Sequence, residues 1–276
     1  MFQCLRYFVV TSVAIGLIGG CKKSIQTEEE YLTLADSEGV SSNQRDLFSL
    51  CGQTSLESLM KEAHTVVECF SSSNEIASLV PDVKSAVLRN NAARSAHRAL
   101  YQEYPWLKKS QEEFESLRSF FLKGKGDASS LMQIEWIKND SNQGCDVLCF
   151  YDRNALIKGN LNWVDNVIFK RLGSSKGSHY LKLVMTHELG HFMVDHYFIK
   201  VKKLTDTDYA KMLDRDFIAN HLIVDAVSMA INKSPTTEFA NMLGELGVPQ
   251  ENNDTLVIND DQKARIRCLK ELPSMN

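Results

Sequence analysis

The sequence carries no surplus of positive charge. Its 31 lysines and arginines stand against 35 aspartates and glutamates, for a net −4 at pH 7, so no basic field draws the chain to nucleic acid. Past the first two dozen residues, no stretch reaches the roughly 18 apolar residues that span a membrane. No internal repeat is found, so the chain is not built as a repeat array. Good strand candidates are also few. What is present is ordinary for a folded protein: 43% hydrophobic and 24% charged residues argue against long disorder. The 276 residues suffice for one large domain or two modest ones.

The N-terminus departs from this background. MFQCLRYFVVTSVAIGLIGGCKKS opens with one positive charge, Arg6, and continues in an apolar run from Tyr7 to Ile18. Small residues then lead into Cys21, which completes the tripartite layout of an export signal. Ile18-Gly19-Gly20-Cys21 resembles the lipobox of bacterial lipoproteins. That resemblance implies residues 1–20 as a signal peptide, acylation of Cys21 (palmitate among the acyl chains), and a protein tethered to a membrane without spanning it. Lys22 rather than aspartate follows the cysteine. By the family's rule this implies the outer membrane, facing the periplasm, if the cell is Gram-negative.

Of the seven cysteines, Cys4 leaves with the signal and Cys21 carries lipid, so Cys51, Cys69, Cys145, Cys149 and Cys268 remain. An exported protein can oxidise these into at most two internal pairs. The sequence-local pairings are Cys51 with Cys69 and Cys145 with Cys149. A metal site at Cys145-x-x-x-Cys149 is set aside, because no second pair of ligands lies near it.

Residues 21–44 are polar and weakly patterned, and read as a tether. From 45 to about 125 apolar residues recur at three- and four-residue spacing, which predicts helices, with Pro81 and Pro105 at breaks or first turns. His64 and His97 lie in these helices and read as surface or internally satisfied histidines. After the turn-rich GKGDASS, three short segments rich in β-branched and aromatic residues predict strands: MQIEWIKN, DVLCFYD and ALIKGNLNW. Helical patterning then returns over 164–172, 178–200, 207–232, 236–246 and 260–271. Helices, a small sheet and helices again predict a mostly helical α+β protein, with 126–276 as a second domain.

The decisive stretch is VMTHELGHFMVDH, residues 184–196. Residues four apart on a helix share one face at about 6 Å of rise, so His187 and His191 can reach one ion without bending the backbone. Glu188, rotated about 100° from His187, is free to meet a water instead of ligating. That is the physical content of HExxH: two nitrogen ligands suited to zinc and a carboxylate general base. Two histidines and a glutamate set into an apolar helix are costly unless partnered, and a metal relieves that cost. Gly190 costs the helix roughly 1 kcal/mol but leaves room against a facing element.

HELGH on a long helix behind a small sheet resembles the zincin metallopeptidases, over about residues 130–270. Val194 and Tyr197 stand where the metzincin branch needs glycine and histidine. The resemblance is to the branch whose third ligand comes from a later helix. That helix normally carries a glutamate ligand, followed four residues on by a group that buttresses a histidine. LDRDFIANHLIVDAVSMAIN lacks the glutamate, and two registers fit it: His221 with Asp225, or Asp216 with Asn220. The first is preferred, because an imidazole ligand and an orienting carboxylate together meet zinc's requirements. Read blandly, Asp214, His221, Asp225, Ser228 and Asn232 form a solvated stripe. His196 and Tyr197 fall outside the ligand face and read as surface residues. DDQKARIRCL resembles a closing helix of some zincins in which an arginine, here Arg265, points back to the site.

The resemblance implies a membrane-anchored zinc metallopeptidase: one Zn2+ on His187, His191 and His221, Glu188 as base, Asp225 behind the ligands, and a peptide or protein substrate. A segment of 145–161 would hold that substrate as an added strand. Because the glutamate ligand is missing, a non-catalytic lipoprotein acting as a binding module is the alternative. A zinc hydrolase of cell-wall or small amide bonds comes third.

Overall fold

The computed structural model describes residues 53–138, 148–151, 154–205, 207–209, 217–246, 248–250, 253–257 and 260–271. The leader and tether, Cys21, Cys51, Cys145 and Asp216 lie outside the described residues. The described residues are mostly helical with a small sheet, the α+β class expected. No described helix is long and apolar enough to cross a membrane.

Three helices come first: α1 (Gln53–Ser72), α2 (Val83–Leu100) and α3 (Pro105–Leu122). Leu59, Ala63, Val66 and Phe70 form the buried stripe of α1, at the three- and four-residue spacing of one helical face. Asp82 caps α2 by accepting from the Ser85 N–H at 3.1 Å. The buried face of α2 is polar as well as small: Ala86, Asn90, Ala93 and His97. Asn90 donates to the carbonyls of Ala86 and Asn154, each at 2.9 Å, and accepts from the Gln133 N–H at 2.8 Å. His97 is buried and meets the Ile134 carbonyl through Nε2 at 2.6 Å, while His64 is exposed. Both fit the sequence reading. Pro105 occupies the first turn of α3, where its missing N–H costs nothing.

The sheet has the order β1-β3-β2. β1 (Ile134–Ile137) runs parallel to β3 (Leu156–Asn160), and β2 (Leu148–Tyr151) runs antiparallel to β3 at the edge. ALIKGNLNW is strand only through Asn160. The Asn160 side chain accepts from the Trp163 N–H at 3.1 Å and starts a helix there, so the last three residues are not strand. This helix, α4, covers Leu161–Trp163 and widens into a π-helical stretch, Val164–Lys170.

Gly173 (φ 77°) then turns the chain into α5, Ser174–His196, which continues as a π-helical stretch, Tyr197–Val201. α6 (Phe217–Asn232) and α7 (Thr236–Leu246) follow. The antiparallel hairpin of β4 (Val248–Gln250) and β5 (Asn253–Val257) was not expected from sequence. Its strands are short and one contains Pro249, so its pattern is too weak to show. The chain closes with α8 (Asp260–Glu271).

α5 packs against α6, α3 and the edge strand β2, and α1 packs against α6. One hydrophobic core runs from Leu59 to Leu269 and is continuous across residue 126. The Cys51–Cys69 pairing is incorrect: Cys69 is a free, half-buried thiol, whereas Cys268 is disulfide-bonded. α1 is unbroken from Gln53, which puts Cys69 about 24 Å along its axis from that end. Two more residues cannot close such a span to the roughly 7 Å a disulfide needs.

Candidate metal centre

α5 is buried on all sides from Leu183 to Val194, as expected of a helix apolar around its whole circumference. Its polar residues therefore have to find partners inside the protein. Those partners come from α6, which runs antiparallel to α5. Descending α5, the His191 ring lies 5.4 Å from that of His221, His187 meets Asp225, and the Leu183 carbonyl meets Ser228. The helices approach closely because Gly190 lies between them. A Cβ there would stand 3.2 Å from Val224 Cγ1 and 3.3 Å from the Val224 carbonyl.

Three histidines converge in the gap. His187, His191 and His221 each direct one ring nitrogen inward, all within 4.8 Å of one another, and all three are buried. The His187 and His191 rings stand nearly perpendicular at 84°, and those of His187 and His221 lie nearly parallel at 16°. The alternative reading of a solvated stripe on α6 fails where it is described: His221, Asp225 and Ser228 are fully buried.

Asp225 meets His187 across the helix pair, rather than His221 on its own helix. Its Oδ1 lies 2.8 Å from His187 Nδ1. From the other side Arg265 on α8 donates to it twice, Nε to Oδ2 at 2.9 Å and Nη2 to Oδ1 at 2.7 Å. Burial alone would push the Asp225 carboxyl up, but the Arg265 guanidinium and the His187 ring outweigh it and hold the pKa at about 2. Burial pushes His187 below its ordinary range, against the pull of Asp225. His191 is driven well below it by burial, reinforced by His187, His221 and Arg265. The ring of His187 is therefore neutral near pH 7, with Nδ1 facing the carboxylate. Its Nε2 is buried and makes no hydrogen bond among the described residues. A carboxylate set against one ring nitrogen is the arrangement that orients a metal-ligating histidine.

The donor set fits a metal ion. Three imidazoles behind a carboxylate–guanidinium pair suit zinc and other borderline divalent ions. Glu188 is fully buried beside His187 and is not one of the three converging donors. Arg265, a minor point in the sequence, is the group that fixes Asp225. The α8 pattern was the only sign of it.

His196 and Tyr197 are buried rather than on the surface. His196 Nε2 lies 2.8 Å from Ser73 Oγ and its ring packs edge-on to Phe70, while the Tyr197 hydroxyl donates to Glu62 at 3.4 Å. α1 and the turn after it cover this end of α5, which the local pattern around 196 cannot reveal. Neither residue belongs to the histidine cluster.

No protein-family model, curated protein or solved structure matches the chain.

Proposed function

We propose that the chain is a zinc-dependent metallopeptidase, exported and held at the bacterial cell envelope by lipid on Cys21. The convergence of His187, His191 and His221, with Glu188 beside them and Asp225 fixing one ring, carries this reading. When bound, zinc supplies Lewis acidity: it polarises a carbonyl and makes a water acidic near neutral pH. The three rings hold the ion; burial keeps His187 neutral, and Asp225, itself held by Arg265, keeps its ring correctly turned. Glu188, a helical neighbour placed off the ligand face, takes the proton of the attacking water and passes it to the departing amine nitrogen. The edge strand β2 packs beside α5 and, among the described residues, has a strand partner on one side alone. An extended peptide laid along that edge would present its carbonyls to the centre.

The experiment is hydrolysis of a mixed peptide library by the purified protein, with and without a chelator. Cleavage that a chelator stops and zinc restores supports the proposal. Stoichiometric zinc with no cleavage of any peptide would replace it with the binding-module reading.

A further inference from the structure

The helices that carry the histidines share a second polar contact outside the cluster. Ser228 Oγ lies 2.7 Å from Thr186 Oγ1 and donates to the Leu183 carbonyl at 3.1 Å. Thr186 Oγ1 also reaches the carbonyls of Lys182 and Leu183, at 3.0 and 2.9 Å. Asn232, one turn beyond Ser228, donates to Thr186 Oγ1 at 2.6 Å and to the Ser228 carbonyl at 2.9 Å. Thr186 and Ser228 are fully buried.

We propose that Thr186 and Ser228 are positioning residues for the metal centre: their hydrogen bond, held by Asn232, sets the register of α6 on α5 and so keeps His221 opposite His187 and His191. The proposal rests on the reading of these histidines as metal ligands. Ser228 lies seven residues from His221, two turns along the same face, about 10 Å away. Between them the helices touch through Val224, Val227 and Gly190, contacts that are non-directional and allow sliding. A slide of one helical residue, about 1.5 Å, would break hydrogen bonds of this length. Asp225 and His187 make one fixed point between the helices, and a single point still permits rotation. The Thr186–Ser228 contact is a second fixed point three residues further along α6, and two points fix both shift and rotation.

Replacing both partners of a buried hydrogen bond with apolar groups of similar shape is nearly neutral for stability, and half-buried Asn232, which loses Thr186 Oγ1, keeps its bond to the Ser228 carbonyl. A role confined to stability is therefore separable from positioning. The test compares the full-length protein with Thr186→Val/Ser228→Ala, Ser228→Ala, Thr186→Ser and, as a destabilised control, Leu107→Ala, whose site is a buried position on α3. For each, zinc affinity is measured by chelator competition, the coordination spectrum with cobalt(II), and the melting temperature without metal. The double variant should bind zinc about tenfold more weakly, the lower end for residues that support ligands. Its cobalt spectrum should change while its melting temperature stays near that of the parent. Ser228→Ala should move in the same direction, Thr186→Ser should restore the parent's affinity, and Leu107→Ala should melt early with affinity intact. Parent affinity and spectrum in both Ser228→Ala and the double variant would overturn the proposal. So would an equal loss of affinity in Leu107→Ala. A parent protein that takes up neither metal would overturn the metal-centre reading itself, and the positioning role with it.

Discussion

Glu188 follows His187 on α5 yet lies outside the converging donor set. Glu188→Gln keeps its shape and hydrogen-bonding capacity but cannot accept a proton at neutral pH. The variant should keep its metal and its fold and lose turnover by about 10²–10⁴; steady-state peptide hydrolysis alongside metal analysis checks both. The same separation applies to the third ligand. His221→Ala should remove most bound zinc, because two protein ligands seldom hold it, while Asp216→Ala should leave most of it, as read by elemental analysis. The opposite ranking would move the third ligand to Asp216. His221 stands out in the sequence as the histidine on the helix after HELGH. Spacing alone did not separate it from Asp216, because both registers satisfy it; ligand chemistry gave the preference for His221. Tertiary packing, with Asp225 turned toward His187 and held by Arg265, is what places His221 in the cluster.

The α5–α6 pair carries the site, and Gly190 sets how closely its helices approach. Alanine at 190 would gain roughly 1 kcal/mol of helix propensity. Its methyl would meet Val224 at 3.2 Å, and overpacking of this kind costs about 1–3 kcal/mol. Gly190→Ala should therefore lose about 1 kcal/mol of stability in urea unfolding and bind metal more weakly, since Val224 precedes Asp225. A variant more stable than the parent, with unchanged affinity, would mean the helices do not depend on this contact. The long apolar run around HELGH made α5 legible, with ends close to those expected. The π-helical widening at Tyr197–Val201 was not, nor was the burial of His196 and Tyr197, because the groups that cover them lie more than a hundred residues earlier. The β4–β5 hairpin escaped for a local reason: strands of three and five residues give too few alternations to register.

The N-terminal helices share one core with the helices that carry the histidine cluster, so the protein's stability and its candidate site are coupled. Several buried histidines make that stability depend on pH. Burial holds His97, His187, His191 and His196 below their ordinary range. For a base whose folded pKa is depressed, the unfolded chain binds more protons just below the unfolded value of about 6.5. Stability is then complete above that pH and declines as pH falls toward the folded values. The melting temperature of the metal-free protein should therefore hold steady above about pH 7 and drop below about pH 6.5. His97→Gln keeps a donor for the Ile134 carbonyl without a titrating group, and should make the drop shallower. A parent profile that stays flat as pH falls below about 6.5 would contradict the burial of neutral histidines.

Metal content decides most directly whether this molecule is built around an ion. Full-length protein, stripped with chelator, incubated with excess zinc and desalted, should retain one zinc per chain. His187→Ala, His191→Ala and His221→Ala, treated alike, should each retain far less than one while remaining folded. A folded parent that retains no zinc, or three variants that retain as much as the parent, would contradict the metal centre and the peptidase built on it.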